Sequence, residues 1–214
     1  MKEINLVGFN GAWHLPKPHR RRIIANAAAL GAIVAGVECK WLEVDEELDP
    51  TEWIVLQDLR TDAAAGCVLA LRCDRVTQVE NVAWHVGTTN KMRGFPAARM
   101  ETRHILAAEV QIDGDEWLTV LVAHFPPKRY AWLYTRMLRQ LRRRMSQAKH
   151  PVVVFADWNR YAAAVAVGTG LLTRVREVVG WAISPGMDAA PARRKHVGGD
   201  HPAVVVTLRS LRRH

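Results

Sequence analysis

Residues 151–159 read PVVVFADWN, a run of five apolar residues followed closely by the polar side chains of Asp157 and Asn159. A short apolar run rich in β-branched valine is typical of a strand buried inside a sheet. Strand ends and the loops that follow them hold binding groups on a rigid scaffold. The segment therefore predicts a sheet whose edge carries a carboxylate and a carboxamide.

The same arrangement recurs at four other apolar runs along the chain. The polar residues beside them are Asn10 after INLVGF, Glu38 after AIVAGV, His124 after LTVLVA, and Asp200 with His201 before AVVVTL. Because strand ends of a packed sheet converge on a common rim, we expect these side chains to meet. Carboxylate and carboxamide oxygens suit Mg²⁺, and histidine transfers protons near neutral pH.

Each of these residues also has a purely structural interpretation. Asn10 is also typical of a turn, Glu38 of a solvated surface, and Asp157 of the N-cap of a following helix. Their occurrence together and in order, each beside an apolar run, favours a shared site.

Hydrophobic periodicity predicts many strands and few helices. Strands are expected over residues 3–9, 32–37, 53–59, 67–73, 103–112, 116–123, 152–157, 178–184 and 203–208. Helices are expected over residues 19–30 and 129–148, with a weaker one over 160–168. In the second helix an apolar residue recurs every four positions from Leu133 to Met145, so these residues share one face. This pattern is typical of an α/β fold in which helices cover sheets.

The composition is that of an ordinary soluble domain. The chain has 214 residues, of which 49% are apolar and 24% charged, so a single domain over 1–214 is expected. No apolar run is long enough to span a membrane, and the N-terminal residues lack a secretory pattern. The three cysteines lack paired metal spacing, which favours a reduced, cytoplasmic protein.

The formal net charge of +9 favours a polyanionic partner. Basic residues cluster at 19–22, 136–144, 193–195 and 209–213, and each cluster suits either solvation or contact with a phosphate backbone. Arg99 and Arg103 precede a predicted strand, and we predict that they bind a phosphate group of such a partner, with solvation at the surface as the alternative. Among eight tryptophans, Trp13 and Trp158 are the candidates for stacking on a base.

The ordered motifs resemble those of the endonuclease/exonuclease/phosphatase superfamily, which has the DNase-I-like fold. The motifs are Asn10, Glu38, HFPP from His124, ADWN over 156–159 and GDHP over 199–202. The last two are similar to the family's usual GDFN and SDH. The resemblance runs from about residue 3 to residue 208, and it implies a four-layered α/β sandwich of two packed sheets flanked by helices.

The resemblance also implies roles for the residues of the motifs. Glu38 would be the main Mg²⁺ ligand, helped by Asn10 and Asp200, with Mn²⁺ as a substitute. His201 would be the general base that activates water.

Three further residues would act on the nucleophile and the phosphate. Asp157 and Asn159 would orient the nucleophile and the scissile phosphate, and His124 would stabilise charge on a phosphate oxygen.

The chain departs from the family pattern beside the general base. The family usually has an aspartate that orients this histidine, and Gly180 stands in the corresponding place. Asp188, eight residues later, is the candidate substitute.

Two classes of function fit these observations. The first is a metal-dependent phosphodiesterase, most simply a nuclease acting on DNA or RNA, with a phosphatase for a small phosphoester as the rival enzyme. The second is a nucleic-acid-binding module that has the fold without catalysis. No membrane partner is expected.

Overall fold

The computed structural model describes residues 2–40, 43–57, 66–91, 100–127, 130–159, 166, 169–176, 179–199 and 201–210. The strands are β1 (Ile4–Asn10), β2 (Ile33–Val37), β3 (Trp53–Gln57), β4 (Cys67–Arg72), β5 (Val76–Lys91), β6 (Met100–Ile112), β7 (Glu116–His124), β8 (Val152–Asp157), β9 (Leu172–Arg176), β10 (Val179–Ile183), β11 (Asp188–Ala189), β12 (Arg193–Lys195) and β13 (Ala203–Ser210). The helices are α1 (Lys17–Ala28), α2 (Glu43–Glu47) and α3 (Ala131–Gln147).

The strands form two sheets. Sheet A has the order β11-β13-β1-β2-β4-β3, with β12 also paired to β13, and sheet B has the order β5-β6-β7-β8-β10-β9. Each sheet contains a parallel pair, β1 with β2 and β7 with β8. Parallel neighbours need a crossover, which α1 and α3 supply. The carboxyl ends of the two strands in each pair therefore lie at one edge of their sheet.

Three apolar clusters define four layers. One cluster fills the space between the sheets and contains Phe155 and Trp181. A second packs α1 against the outer face of sheet A, and a third packs α3 against the outer face of sheet B. On α3 the buried residues include Leu133, Met137 and Leu141, as their spacing predicts. The four-layered α/β sandwich expected from the motifs is therefore confirmed.

The sequence pattern missed the longest strand. Strand β5 has 16 residues and three register shifts against β6, between Val76 and Gln78, Glu80 and Ala83, and Val86 and Thr88. A register shift interrupts the alternation of side chains, and alternation is the signal by which a half-buried strand is recognised. The short α2 and β9 were also missed. The helix expected over 160–168 lies almost entirely outside the described residues.

Two expectations from composition can be compared with the structure. Within the described ranges, no helix is long and apolar enough to cross a membrane. The three cysteines are free thiols, with Cys39 and Cys67 buried and Cys73 exposed.

The two sheets approach closely between Gly8 and Phe155. A Cβ atom on Gly8 would lie 1.9 Å from the Phe155 ring, so only glycine leaves room for this phenyl group. Both residues precede the end of their strand by two positions, and side chains two apart share a face. The contact therefore sets the spacing between the sheets directly beside Asn10 and Asp157.

We predict that Gly8→Ala lowers the free energy of unfolding by about 1–3 kcal/mol, because the added methyl group overpacks the space between the sheets. Urea denaturation followed by circular dichroism measures this loss. In the double variant Gly8→Ala, Phe155→Leu, the leucine side chain is smaller than the phenyl group and leaves room for the added methyl group. The loss of unfolding free energy should therefore be less than the sum of the losses in the two single variants. Wild-type stability in Gly8→Ala would contradict the prediction.

Candidate active site

Asn10 and Glu38 lie at the carboxyl ends of the parallel strands of sheet A. Asn10 is aligned with Val37, the residue before Glu38. Asn10 is buried, and its Oδ1 accepts a hydrogen bond from the N–H of Ala12 at 2.8 Å. A carboxamide oxygen has two lone pairs, so this bond leaves acceptor capacity on Asn10.

The backbone of Glu38 turns its side chain away from the direction that the strand would give it. Ile33, Ala35 and Val37 face the space between the sheets, so strict alternation would place residue 38 on the opposite face. Glu38 instead adopts a left-handed conformation with φ of 56°. Such a conformation is uncommon for a non-glycine residue and is a form of strain found at functional sites.

Gly11 makes room for this turn. Its N–H donates to the carbonyl of Val37 at 2.7 Å, and a Cβ on Gly11 would lie 2.8 Å from the carbonyl oxygen of Glu38. The Asn10-Gly11 pair is thus both a turn and a close contact between β1 and the chain after β2.

His124 and Asp157 lie at the carboxyl ends of the parallel strands of sheet B, directly opposite each other in the register. Both are buried, with His124 only 4% exposed. The Asp157 Oδ1 accepts the N–H of Asn159 at 3.0 Å. The other oxygen, Oδ2, lies 3.8 Å from His124 Nε2.

The two strand pairs meet at His124. Its Nε2 lies 3.6 Å from Glu38 Oε1, so a carboxylate from each sheet approaches the same imidazole nitrogen. One potential ligand atom from each of Glu38, His124 and Asp157 lies within 4.8 Å of the other two. Two carboxylates and an imidazole form a donor set suited to a divalent cation. The structure thus brings together three of the residues that the sequence singled out.

Asn159 supports the loop that follows β7. It has a φ of 49°, and its Nδ2 donates to the carbonyl of Phe125 at 2.8 Å. Between Asp157 and Asn159, the Trp158 ring is fully buried, stacks on Phe125 and donates to the carbonyl of Gly180 at 3.0 Å. The ADWN motif therefore links the ends of β7, β8 and β10.

Arg103 also supports this loop. Its side chain is buried, with 7% of the residue exposed, and Nη1 donates to the carbonyl oxygens of His124 at 3.2 Å and Phe125 at 3.1 Å. These contacts direct one end of the guanidinium to the backbone that carries His124. Sequence reasoning treated Arg103 as a substrate contact and did not foresee this structural role.

Cys39, next to Glu38, is a buried thiol that donates to the carbonyl of Val37. Burial raises the pKa of this thiol well above its usual range, and the negative charge of Glu38 raises it further. The side chain therefore packs as a neutral group beside Glu38.

His201 lies in the segment before β13, which pairs with β1. A Cβ on Gly199 would lie 3.6 Å from the carbonyl oxygens of both Asn10 and His201, so this segment approaches the end of β1. Asp188 pairs with Ser210 at the far end of β13. Since β13 extends for eight residues, Asp188 cannot take the place of the aspartate that orients the histidine. Asp200 and Arg99 lie outside the described residues.

Comparisons with solved structures reveal the same fold in other proteins. D. rerio TDP2 complexed with single strand DNA product has a TM-score of 0.73 and 14% identity over 98% of this chain and 100% of that chain. An endonuclease/exonuclease/phosphatase family protein from Bacteroides thetaiotaomicron has a TM-score of 0.71 and 12% identity over 99% of both chains.

A third structure is that of ANGEL2, a 2′,3′-cyclic phosphatase, in complex with adenosine-2′,3′-vanadate. It has a TM-score of 0.74 and 10% identity over 97% of this chain and 95% of that chain. No protein-family model matches the sequence, and no curated protein matches it. The structural likeness establishes that the chain shares the fold of these proteins, the DNase-I-like fold that the resemblance of its motifs implies.

We predict that Arg103→Met destabilises the protein by about 1.5–3 kcal/mol, since the change removes charged hydrogen bonds to two buried carbonyl groups. Thermal and urea denaturation measure the loss. Arg139→Met, at an exposed position of α3, is the matched control and should change stability by less than about 0.5 kcal/mol. Equal effects of the two substitutions would contradict the structural role of Arg103.

Proposed function

We propose that this protein is a metal-dependent phosphodiesterase that acts as a nuclease on DNA or RNA. The observation that carries the proposal is the meeting of Glu38, His124 and Asp157 from two different sheets, with ligand atoms within 4.8 Å of one another. The carboxylates of Glu38 and Asp157 repel each other at this distance, and a bound divalent cation offsets that repulsion.

The carboxylate and carboxamide oxygens at this site suit Mg²⁺, with Mn²⁺ as a substitute. In this proposal Glu38 is the main ligand, and Asn10 and Asp200 contribute oxygen atoms. When bound, the cation neutralises negative charge on the scissile phosphate and polarises its oxygen atoms.

The other residues act on water and on the phosphate. His201 accepts the proton of the attacking water, and Asp157 with Asn159 orients the nucleophile and the scissile group. His124 donates from its imidazole to a phosphate oxygen, where charge develops in the transition state. Because phosphoryl transfer depends on positioning and charge neutralisation, residues held on strand ends are suited to it.

A nucleic acid is the proposed substrate because the chain carries a formal charge of +9. Arg139 and Arg143 are exposed on α3, and all three residues of β12 are exposed and basic. Arg99 is proposed to bind the substrate phosphate. Arg103, which donates to the backbone carbonyl of His124, is proposed to act on the phosphate through the positive charge that it places there. The likeness to D. rerio TDP2 complexed with single strand DNA product supports this substrate class.

A small cyclic phosphoester is the second candidate substrate. The specific observation in its favour is the equally strong likeness to ANGEL2, a 2′,3′-cyclic phosphatase, in complex with adenosine-2′,3′-vanadate. Adenosine 2′,3′-cyclic phosphate therefore belongs in the same assay as the oligonucleotides.

The test measures hydrolysis of plasmid DNA, single-stranded DNA, single-stranded RNA and the cyclic nucleotide with Mg²⁺, with Mn²⁺ and with EDTA. We expect cleavage that EDTA abolishes. Glu38→Gln and His201→Ala should each lower the rate by roughly 100-fold or more, since each removes a group that acts on the phosphate or the water.

Asp188→Asn is the control, because Asp188 lies at the far end of β13 and should leave the rate unchanged. Circular dichroism establishes that each variant is folded. Salt-sensitive binding of DNA without cleavage, unchanged by Glu38→Gln and His201→Ala, would overturn the proposal and favour a binding module.

A further inference from the structure

An exposed tryptophan lies three residues after Asn10. Trp13 is 42% exposed, although tryptophan is a highly buried residue on average. Three peptide units span at most about 11 Å between Cα atoms, so the indole lies near the carboxyl end of β1. The exposed ring is therefore a neighbour of the proposed catalytic site.

The backbone on either side of Trp13 is held in a defined turn. The N–H of Ala12 donates to Asn10 Oδ1 at 2.8 Å, and the N–H of Leu15 donates to the carbonyl of Ala12 at 2.8 Å. Ala12 itself has a φ of 48°. The turn ties the position of Trp13 to that of Asn10.

A buried arginine fixes the same segment from the side of α1. Arg20 is 5% exposed, forms an ion pair with Glu43, and donates to the carbonyl oxygens of Trp13 and Leu15. A buried guanidinium is stable only when its N–H groups have partners, so moving this turn would leave Nη1 of Arg20 without its carbonyl acceptors. The indole of Trp13 is thus exposed on a rigid support.

The other tryptophan that the sequence offered for stacking is excluded. Trp158 is fully buried against Phe125, with the ring centroids 5.2 Å apart. Its face is already covered by protein and cannot receive a base.

We propose that Trp13 is a stacking platform for an unpaired nucleobase of the substrate, close to the scissile phosphate. The proposal rests on the proposed phosphodiesterase function and names the subsite that a single-stranded substrate occupies. Stacking of a base on an aromatic ring contributes about 1–3 kcal/mol and tolerates any base. It therefore provides affinity for unpaired strands without sequence selection.

The kinetic test compares Trp13→Ala with Trp13→Phe on a single-stranded oligonucleotide. We expect Trp13→Ala to raise KM by about 5- to 150-fold, which is the stacking energy expressed as an affinity, with kcat changed by less than about threefold. Phenylalanine has an aromatic face and should restore most of the affinity. Trp132→Ala, which removes a tryptophan 60% exposed on α3, is the matched control and should have no effect.

An oligonucleotide with abasic positions flanking the cleaved bond separates stacking from other causes. On this substrate, Trp13→Ala and the wild type should have the same KM, because no ring is present to stack. A loss in Trp13→Ala that persists on the abasic substrate, or an unchanged KM on the intact one, would overturn the proposal.

A binding measurement separates this proposal from the proposed function. With EDTA present, single-stranded oligonucleotide should quench tryptophan fluorescence in the wild type and in Trp132→Ala, and much less in Trp13→Phe. If the protein shows this Trp13-dependent quenching but cleaves none of the substrates, stacking is supported and the proposed phosphodiesterase function is rejected. Cleavage without any Trp13-dependent quenching would reject stacking alone.

Discussion

The contact between Gly8 and Phe155 is the constraint on which the site depends. Polar side chains at the strand ends of the two sheets can form one site only if the sheets lie close together. Gly8 of β1 has no side chain and therefore leaves room for the phenyl ring of Phe155 of β8. Asn10 and Asp157 follow these residues by two positions, so they face the same space between the sheets. The packing that stabilises the core therefore also sets the width of the site.

Within that frame, the site combines regular and irregular backbone. His124 and Asp157 follow from the alternation of two parallel strands in register. Glu38 reaches the site through a left-handed backbone conformation, because a regular strand would place its carboxylate on the outer face of sheet A. A strained backbone and two carboxylates with oxygen atoms within 4.8 Å of each other both oppose stability. Their coincidence at one place is typical of a functional site.

Buried arginines show that part of the positive charge in this chain supports the fold. Arg20 and Arg103 donate to backbone carbonyl groups of the segments that carry Trp13 and His124. Arg21, also in the basic stretch 19–22, pairs with Glu47 of α2. Sequence composition counts these residues with the solvated ones, because charge alone does not distinguish a guanidinium that holds a loop from one that meets a phosphate.

The sequence by itself determined the strands that lead to Asn10, Glu38, His124 and Asp157, because alternation, apolar runs and helical spacing are local properties. The pattern also indicated an α/β fold, and the resemblance of the ordered motifs to a known family implied the four-layered sandwich. Only the tertiary structure decided that Glu38 and Asp157 share one imidazole, that Arg103 supports the backbone of His124, and that Trp13 is exposed whereas Trp158 is buried. These outcomes depend on contacts between residues distant along the chain, and no local pattern encodes the distance between two sheets.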